Sequence, residues 1–357
     1  MTQSLRHDTQ ASIDIDAHKK LLSCSMYDES KKYTPLLSDR ETEKALKEID
    51  MFFGQELENT LSLQRRAAPL FVLSDSGIND GLSGSEKPVS FDLRCASSAQ
   101  IVHSLAKWKR MALFRFGYEE GSGIYTEMKA VRRDEDLSPI HSYLVDQWDW
   151  ELVLTQKSRT IEYLKSTVRK IYQAIRNLES HLHSLFPSLP LKLPEELTFV
   201  TTQELEDMYT SLSPKERERA ICKKYGAVFI MQVGKVLSSG SIHDARAPDY
   251  DDWELNGDIL VYYDVLGLGL ELSSMGIRVN RESLQKQLAH CGREEDMKYE
   301  YHQLIAAEKL PLTIGGGIGR SRLSMFILKK LHIGEVQASV WPEHIVSLCK
   351  GYGLSLL

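Results

Sequence analysis

The stretch Gly315-Gly316-Gly317-Ile318-Gly319-Arg320-Ser321-Arg322 follows a short apolar run. It opens a series, Leu323, Phe326, Ile327, Lys330 and Leu331, with the spacing of a helix. Glycine lets a backbone approach a ligand closely or adopt φ > 0, and a helix N-terminus presents free N–H groups to an anion. The stretch therefore reads as a loop before a helix, an anionic nucleotide-sized site with Arg320 and Arg322 as fixed positive charge. It is not a P-loop, because no Gly-Lys-Ser/Thr follows, and its glycine spacing is not the Gly-x-Gly-x-x-Gly of a dinucleotide fold. A tight packing turn would look the same from these residues alone.

Outward from that stretch, strand-like runs at Ala227 to Val233, Ile259 to Val265 and Leu270 to Val279 precede it. Shorter runs alternate with turns from Ser90 to Gln147. Helices separate these clusters. Ser38 or Asp39 caps one whose apolar stripe is Leu46, Ile49, Phe53, Leu57 and Leu61, leading into an extended segment around Pro69. A second covers about 157 to 185 on Ile161, Leu164, Val168, Ile171, Ile175, Leu178 and Leu182, and stops at Pro187. A third starts at the capping box Ser213-Pro214-Lys215-Glu216. Strands in neighbouring hairpins with helices between them predict an α+β domain, a largely antiparallel β-sheet flanked by helices, over 39–357. Residues 1–38 are polar and weakly periodic, and read as an extension with little core of its own.

Composition narrows the function classes. With 42% hydrophobic and 26% charged residues in 357, the chain has the make-up of a soluble globular protein with a sizeable core. No apolar run is long enough for a bilayer, and Met1 to Gln10 lacks the apolar core of a signal peptide, so a cytoplasmic protein without a membrane partner is expected. The net charge of −6 argues against a nucleic-acid partner. Cys24, Cys95, Cys222, Cys291 and Cys349 are scattered, without zinc spacing, and read as reduced thiols.

Four segments carry polar residues where a core would want apolar ones. His103 to Arg110 sets lysines and an arginine around Trp108, and Tyr125 to Glu135 alternates like a strand before ending in arginines and acids. A solvated face or a surface hairpin would look the same. Val145-Asp146-Gln147-Trp148-Asp149-Trp150-Glu151 puts Gln147 and Asp149 on one strand face, which must be wet, paired or bound to ligand, because burial without partners costs a few kcal/mol each. Strict alternation along Glu271 to Arg278 sets Glu271, Ser273, Met275 and Ile277 on one side and Ser274, Gly276 and Arg278 on the other. An acid, a hydroxyl, a glycine and an arginine along one strand suit a Mg-nucleotide better than a core.

Taken together, HSLAKWKR (103–110), VDQWDWE (145–151), RAPDYDDW (246–253), NGDILV (256–261), ELSSMGIRV (271–279) and TIGGGIGRSR (313–322) resemble the ammonia-dependent asparagine synthetase family, aspartate–ammonia ligase. That family resembles the catalytic core of class II aminoacyl-tRNA synthetases, aspartyl and asparaginyl above all. The resemblance implies a homodimer joined through the long helix ending at Pro69. It implies ATP as co-substrate, Mg²⁺, L-aspartate and ammonia, and a β-aspartyl-adenylate with release of AMP and pyrophosphate. By the same resemblance Arg132 holds the α-phosphate and the attacking carboxylate, and Arg322 the outer phosphates. Asp258 and Glu271 hold Mg²⁺. Ser104 and Lys109 grip the substrate α-carboxylate, Asp149 its α-ammonium, and Gln147 contacts its side-chain carboxyl. Asp80, in Ile78-Asn79-Asp80-Gly81-Leu82-Ser83-Gly84, faces the reacting end. Asp251, Ser274, Arg278, Gly317 and Gly319 lie at the nucleotide.

The alternative within the same fold is charging of tRNA with Asp or Asn, which needs an anticodon module and a basic face that this acidic chain does not supply. A silent paralogue would carry damaged motifs, and these are intact. Thr2, not cysteine, follows Met1, so free ammonia is the expected nitrogen donor. The segment between Trp253 and Asn256 is shorter than in the family's bacterial members, which leaves the lid over the nucleotide open.

Overall fold

The computed structural model describes residues 33–82, 86–94 and 96–357; residues 1–32, with Cys24, and Ser83, Gly84, Ser85 and Cys95 lie outside them. Ser38 caps the first described helix, α1 (Asp39–Leu61), through a capping box in which the Ser38 N–H donates to Glu41 Oε2 at 2.9 Å. Ahead of the cap, Tyr33 and Leu37 are buried in the main core, and the Tyr33 hydroxyl donates to Glu335 at 3.0 Å. Cys222, Cys291 and Cys349 are free thiols. Among the described residues no helix is long and apolar enough to cross a membrane.

The α1 stripe corrects one expectation. Ile49, Phe53 and Leu57 are fully enclosed within their own subunit, and Phe53 lies on Trp148 with ring centroids 4.8 Å apart. A stripe that covers its own sheet cannot also be the contact with a second copy. The helix also stops well before Pro69: Ser62 takes the left-handed conformation at φ 55°, and β1 (Leu63–Arg65) follows.

That strand is the edge of an eight-stranded sheet. In spatial order β1 is followed by β5 (Gly123–Val131), β6 (Leu144–Val153), β11 (Thr313–Gly319), β10 (Leu268–Arg278), β9 (Asp251–Tyr263), β8 (Ala227–Met231) and β7 (Thr198–Thr201). Pairing is antiparallel from β5 through β8 and parallel only in the two outer pairs. One face is apolar: Trp148, Trp150, Ile259, Val261, Met275, Ile277, Ile314 and Ile318 pack under α1, α3 (Ile161–Leu185) and α8 (Arg320–Leu328). All the expected α3 stripe positions from Leu164 to Leu182 are buried, and α5 (Pro214–Tyr225) starts at its capping box. The opposite face carries α2 (Ala106–Arg115), α6 (Arg281–His290), α7 (Glu300–Ala306) and a small sheet of β2 (Phe71–Leu73), β4 (Ala96–Ile101) and β3 (Ser90–Leu93). A short α4 (Thr202–Met208) precedes α5, and α9 (Glu343–Gly351) closes the chain.

The glycine stretch is not a loop. It is β11, a central strand between β6 and β10, and none of its glycines has positive φ. What glycine supplies here is space. A Cβ at Gly315 would strike the Glu151 carboxylate, one at Gly317 the Gln147 carboxamide, and one at Gly316 would lie 2.5 Å from both Met275 Cβ and the Ser274 carbonyl oxygen. Low strand propensity is offset by pairing on both edges. Trp253 to Asn256 likewise lie inside the continuous strand β9, so that segment builds no lid.

Overpacking a core usually costs about 1–3 kcal/mol. Gly316→Ala should therefore lower the denaturant midpoint by an amount equivalent to about 1–3 kcal/mol without changing the slope. An unaltered midpoint would contradict the close packing of β11 on β10.

Candidate active site

On the face of the sheet away from α1, the even pleat of β6 places Gln147, Asp149 and Glu151 opposite Gly319, Gly317 and Gly315. The missing Cβ atoms make a shallow trough, and acidic and amide groups lean into it. Glu151, with 0% exposure, receives Arg278 at both oxygens, Nε at 3.0 Å to Oε1 and Nη2 at 2.7 Å to Oε2, and the Thr313 hydroxyl at 2.7 Å. Arg278 also reaches Asp251 at 2.5 Å. Lys109, fully buried on α2, pairs with Asp149 and donates to the Gly316 carbonyl at 3.0 Å. Burial alone would raise the Glu151 carboxyl, but Arg278 and Lys109 outweigh it and hold it below the usual carboxylate range. Burial pushes the Lys109 ammonium down, with Asp149 only partly restoring it.

The second end of the cleft is cationic. A bulge at Leu272 breaks the alternation of β10: Glu271 pairs with Leu260 and Ser273 with Ile259, so Glu271 joins Ser274 on the face that carries Leu260 and Asp258. Strict alternation had set Glu271 and Ser274 on opposite sides. Arg322, in the first turn of α8, lies 3.7 Å from Glu271 Oε2 and 3.4 Å from the Ile140 carbonyl. Burial works against the Glu271 carboxylate, yet Arg322, Arg246, Lys215 and Arg132 together hold it low. Arg132 is 3.9 Å from Glu135, and its buried Nε has no partner. The His141 ring beside them is pushed down to about 3 by burial, then by Arg322, and its Nδ1 is 2.6 Å from the Ser138 hydroxyl.

The third corner holds Asp80. Its Oδ1 accepts the Leu82 N–H at 2.9 Å, as a loop cap does, while Oδ2 is buried without a partner. The Asn79 amide clamps the turn to the His103 N–H at 2.9 Å and the Ile101 carbonyl at 3.2 Å. Burial raises the Asp80 carboxyl, with Lys107 as the largest opposing charge.

One cavity of about 540 Å³ joins these regions. It is lined by Asp80, Ser104, Lys109, Arg132, Gln147, Asp149, Asp251, Glu271, Ser274, Arg278, Gly317, Gly319 and Arg322, which the sequence had singled out from segments far apart. Asp258 stands outside the lining, behind Arg246, with which it pairs. Four pairings were not legible in the sequence: Lys109 with Asp149, Arg278 with Asp251 and with Glu151, and Arg246 with Asp258. Arg246, Lys215 and His141 were also missed as cleft residues. Arg246 stood in a quoted segment, conspicuous as an arginine ahead of acids, whereas Lys215 looked like an ordinary helix-start lysine.

Comparison with known proteins identifies the family and the fold. The family model described as aspartate-ammonia ligase matches residues 40–353. An aspartate–ammonia ligase of Fusobacterium nucleatum is 54% identical over 91% of this chain and 99% of its own length. That of Clostridium perfringens is 54% identical over 92% and 98%. Among solved structures, asparaginyl-tRNA synthetase of Pyrococcus horikoshii with asparaginyl-adenylate superposes with a TM-score of 0.63 at 15% identity, covering 85% of this chain and 70% of that one. The Entamoeba histolytica enzyme with the same adenylate gives 0.62 at 14%, covering 84% and 66%. At that identity the likeness concerns the fold, a class II synthetase catalytic core. On the family match and the near full-length relatives, the chain belongs to the aspartate–ammonia ligase family.

Proposed function

We propose that this chain makes L-asparagine from L-aspartate, ammonia and ATP in the cytoplasm, through a β-aspartyl-adenylate. The observation that carries the reading is one cleft with an acid-lined trough at one end, four cations around Glu271 at the other and the unpartnered Asp80 oxygen at a third corner. Ser104 and Lys109 take the substrate α-carboxylate and Asp149 its α-ammonium. Both roles require the Lys109–Asp149 pair to open or to be shared with substrate. Gln147 orients the side-chain carboxyl. Arg132 draws that carboxylate to the α-phosphate, where its oxygen forms the new P–O bond and the bridging bond breaks with its electron pair leaving on pyrophosphate. Arg322 steadies the leaving charge, and Asp251, Ser274, Arg278, Gly317 and Gly319 frame the nucleotide.

Asp258 and Glu271 fit a divalent cation: Asp258 Oδ1 is buried without a partner, and both carboxylates share one sheet face. Mg²⁺ bound there neutralises phosphate charge. In the amide-forming step Asp80 binds ammonium and takes one proton. The freed nitrogen lone pair bonds to the β-carbonyl carbon, the C–O bond to AMP breaks with its pair, and the second proton leaves with the phosphate or to water.

Incubation with aspartate, ATP, Mg²⁺ and ammonium should yield asparagine and AMP in equal amounts; no asparagine sinks the reading, and ADP with phosphate sinks the adenylate. Fixed charges of this kind contribute ~3–4 kcal/mol at the transition state, so Arg132→Ala and Arg322→Ala should each lower the rate ~10²–10³-fold. Arg132→Ala should act mainly on kcat and Arg322→Ala on ATP use, and a near-normal Arg132→Ala enzyme removes that residue from the site.

Asp80→Asn should keep aspartate-dependent exchange of labelled pyrophosphate into ATP and lose most asparagine synthesis, since an amide neither binds ammonium nor accepts its proton. Equal loss of both places Asp80 in adenylation instead, and loss of neither leaves it a loop cap.

We also propose a homodimer. With the α1 stripe internal, exposed apolar side chains available to a second copy include Phe71 and Phe91 of the small sheet and Met51 of α1, at 61% exposure. Sedimentation at micromolar concentration should give twice the 40.6 kDa of one chain, and a monomer contradicts it.

A further inference from the structure

Below Asp80 lies a buried group of charges that no step above uses. Lys107, on the first turn of α2, is 3% exposed and donates to Asp249 Oδ2 at 2.9 Å. The same oxygen meets His302 Nε2 on α7 at 3.1 Å, and both partners are 1% exposed. A buried lysine costs several kcal/mol unless it is compensated, and a buried aspartate the same. Their pairing explains how each is tolerated but not why a lysine is there, since a neutral donor in its place could also satisfy Asp249.

Asp80 supplies the reason. Its carboxyl is enclosed, accepts the Leu82 N–H, has the Ser104 hydroxyl beside it, and is biased by burial toward the neutral acid, which can neither hold ammonium nor accept its proton. The charged and titratable groups acting around it are Lys107 and His103 at the α2 end, Asp249 and Tyr250 ahead of β9, and Arg293 after α6. Asp249 opposes ionisation, Arg293 is tied to Asp296 at 2.6 Å, and His103 turns Nδ1 to the Asp80 backbone carbonyl at 3.1 Å. Lys107 is the cation that acts most on Asp80, yet its hydrogen bond goes to Asp249, and the ion pairs of the described residues include none between Lys107 and Asp80.

We propose that Lys107, anchored by Asp249 and His302, is a positioning residue for the amide-forming step: its charge keeps Asp80 a carboxylate, while the hold of Asp249 keeps it off the free Asp80 oxygen that receives ammonium. The proposal rests on reading Asp80 as the ammonium acceptor. Because burial raises the Asp80 carboxyl, asparagine formation falls as pH drops through its titration, and removing the Lys107 cation moves that acid limb to higher pH.

The test compares wild type, Lys107→Met, Lys107→Arg and Asp80→Asn by pyrophosphate exchange and by asparagine formation across the acid to neutral range. Lys107→Met should shift the acid limb of asparagine formation upward by about one pH unit, leave the pH profile of exchange in place, and spare hydroxamate formation at neutral pH, where hydroxylamine is mostly the free base. Lys107→Arg should restore the limb. Parallel loss in exchange, asparagine and hydroxamate formation with no shift makes Lys107 merely structural and overturns the proposal. An acid limb that persists in Asp80→Asn refutes the reading of Asp80 itself, whereas a limb lost there but unmoved in Lys107→Met refutes only the role of Lys107. Should Lys107→Met fail to fold, Lys107→Met/Asp249→Asn removes both charges together and must show a smaller shift in the same direction, because the loss of Asp249 also removes a charge that opposes Asp80 ionisation.

Discussion

Glu151 and Arg278 hold the centre of the sheet. Both are buried, they meet through two short hydrogen bonds, and they tie β6 to β10 directly over Gly315 of β11. Removing one partner of such a pair leaves an uncompensated buried charge, at a cost of about 3–5 kcal/mol. Around it Lys109 and Arg278 face Asp149, Glu151 and Asp251, two cations against three acids. An excess of negative charge in a site closed to solvent is unfavourable until a cation arrives. In the proposed reading an amino acid's α-ammonium answers that deficit.

The glycine strand makes the arrangement possible. Side chains at Gly315 and Gly317 would fill the space that Glu151 and Gln147 use, so the trough exists because β11 has none. Its far end delivers the chain into α8, setting Arg322 beside Glu271, while the bulge at Leu272 turns Glu271 toward Asp258. Acid-rich and cation-rich ends are thus built from neighbouring strands of one sheet. In the proposed reading an amino acid with two carboxylates and a polyanionic nucleotide, which repel one another in water, meet where fixed charges offset that repulsion.

Helical periodicity was legible because it is local: α1, α3 and α5 begin or bury their stripes where caps and apolar spacing place them. Which partner a stripe covers is not local, and Ile49, Phe53 and Leu57 cover their own sheet rather than a second subunit. The glycine run read as a loop because glycine has low strand propensity, and only its neighbours β6 and β10, distant in sequence, make it a strand. The same limit explains the rest. Resemblance could point to Lys109, Asp149, Asp251 and Arg278 one by one, but their pairing is a property of the assembled sheet, as is the pairing of Asp258 with Arg246.

The central claim is that this cleft joins the aspartate side-chain carboxylate to the α-phosphate of ATP. Oxygen-18 placed in the β-carboxylate of aspartate tests it most directly. During asparagine synthesis one labelled oxygen should appear in the phosphate of AMP, with none in pyrophosphate. Label retained wholly in the amino acid, or carried into pyrophosphate, would contradict the account.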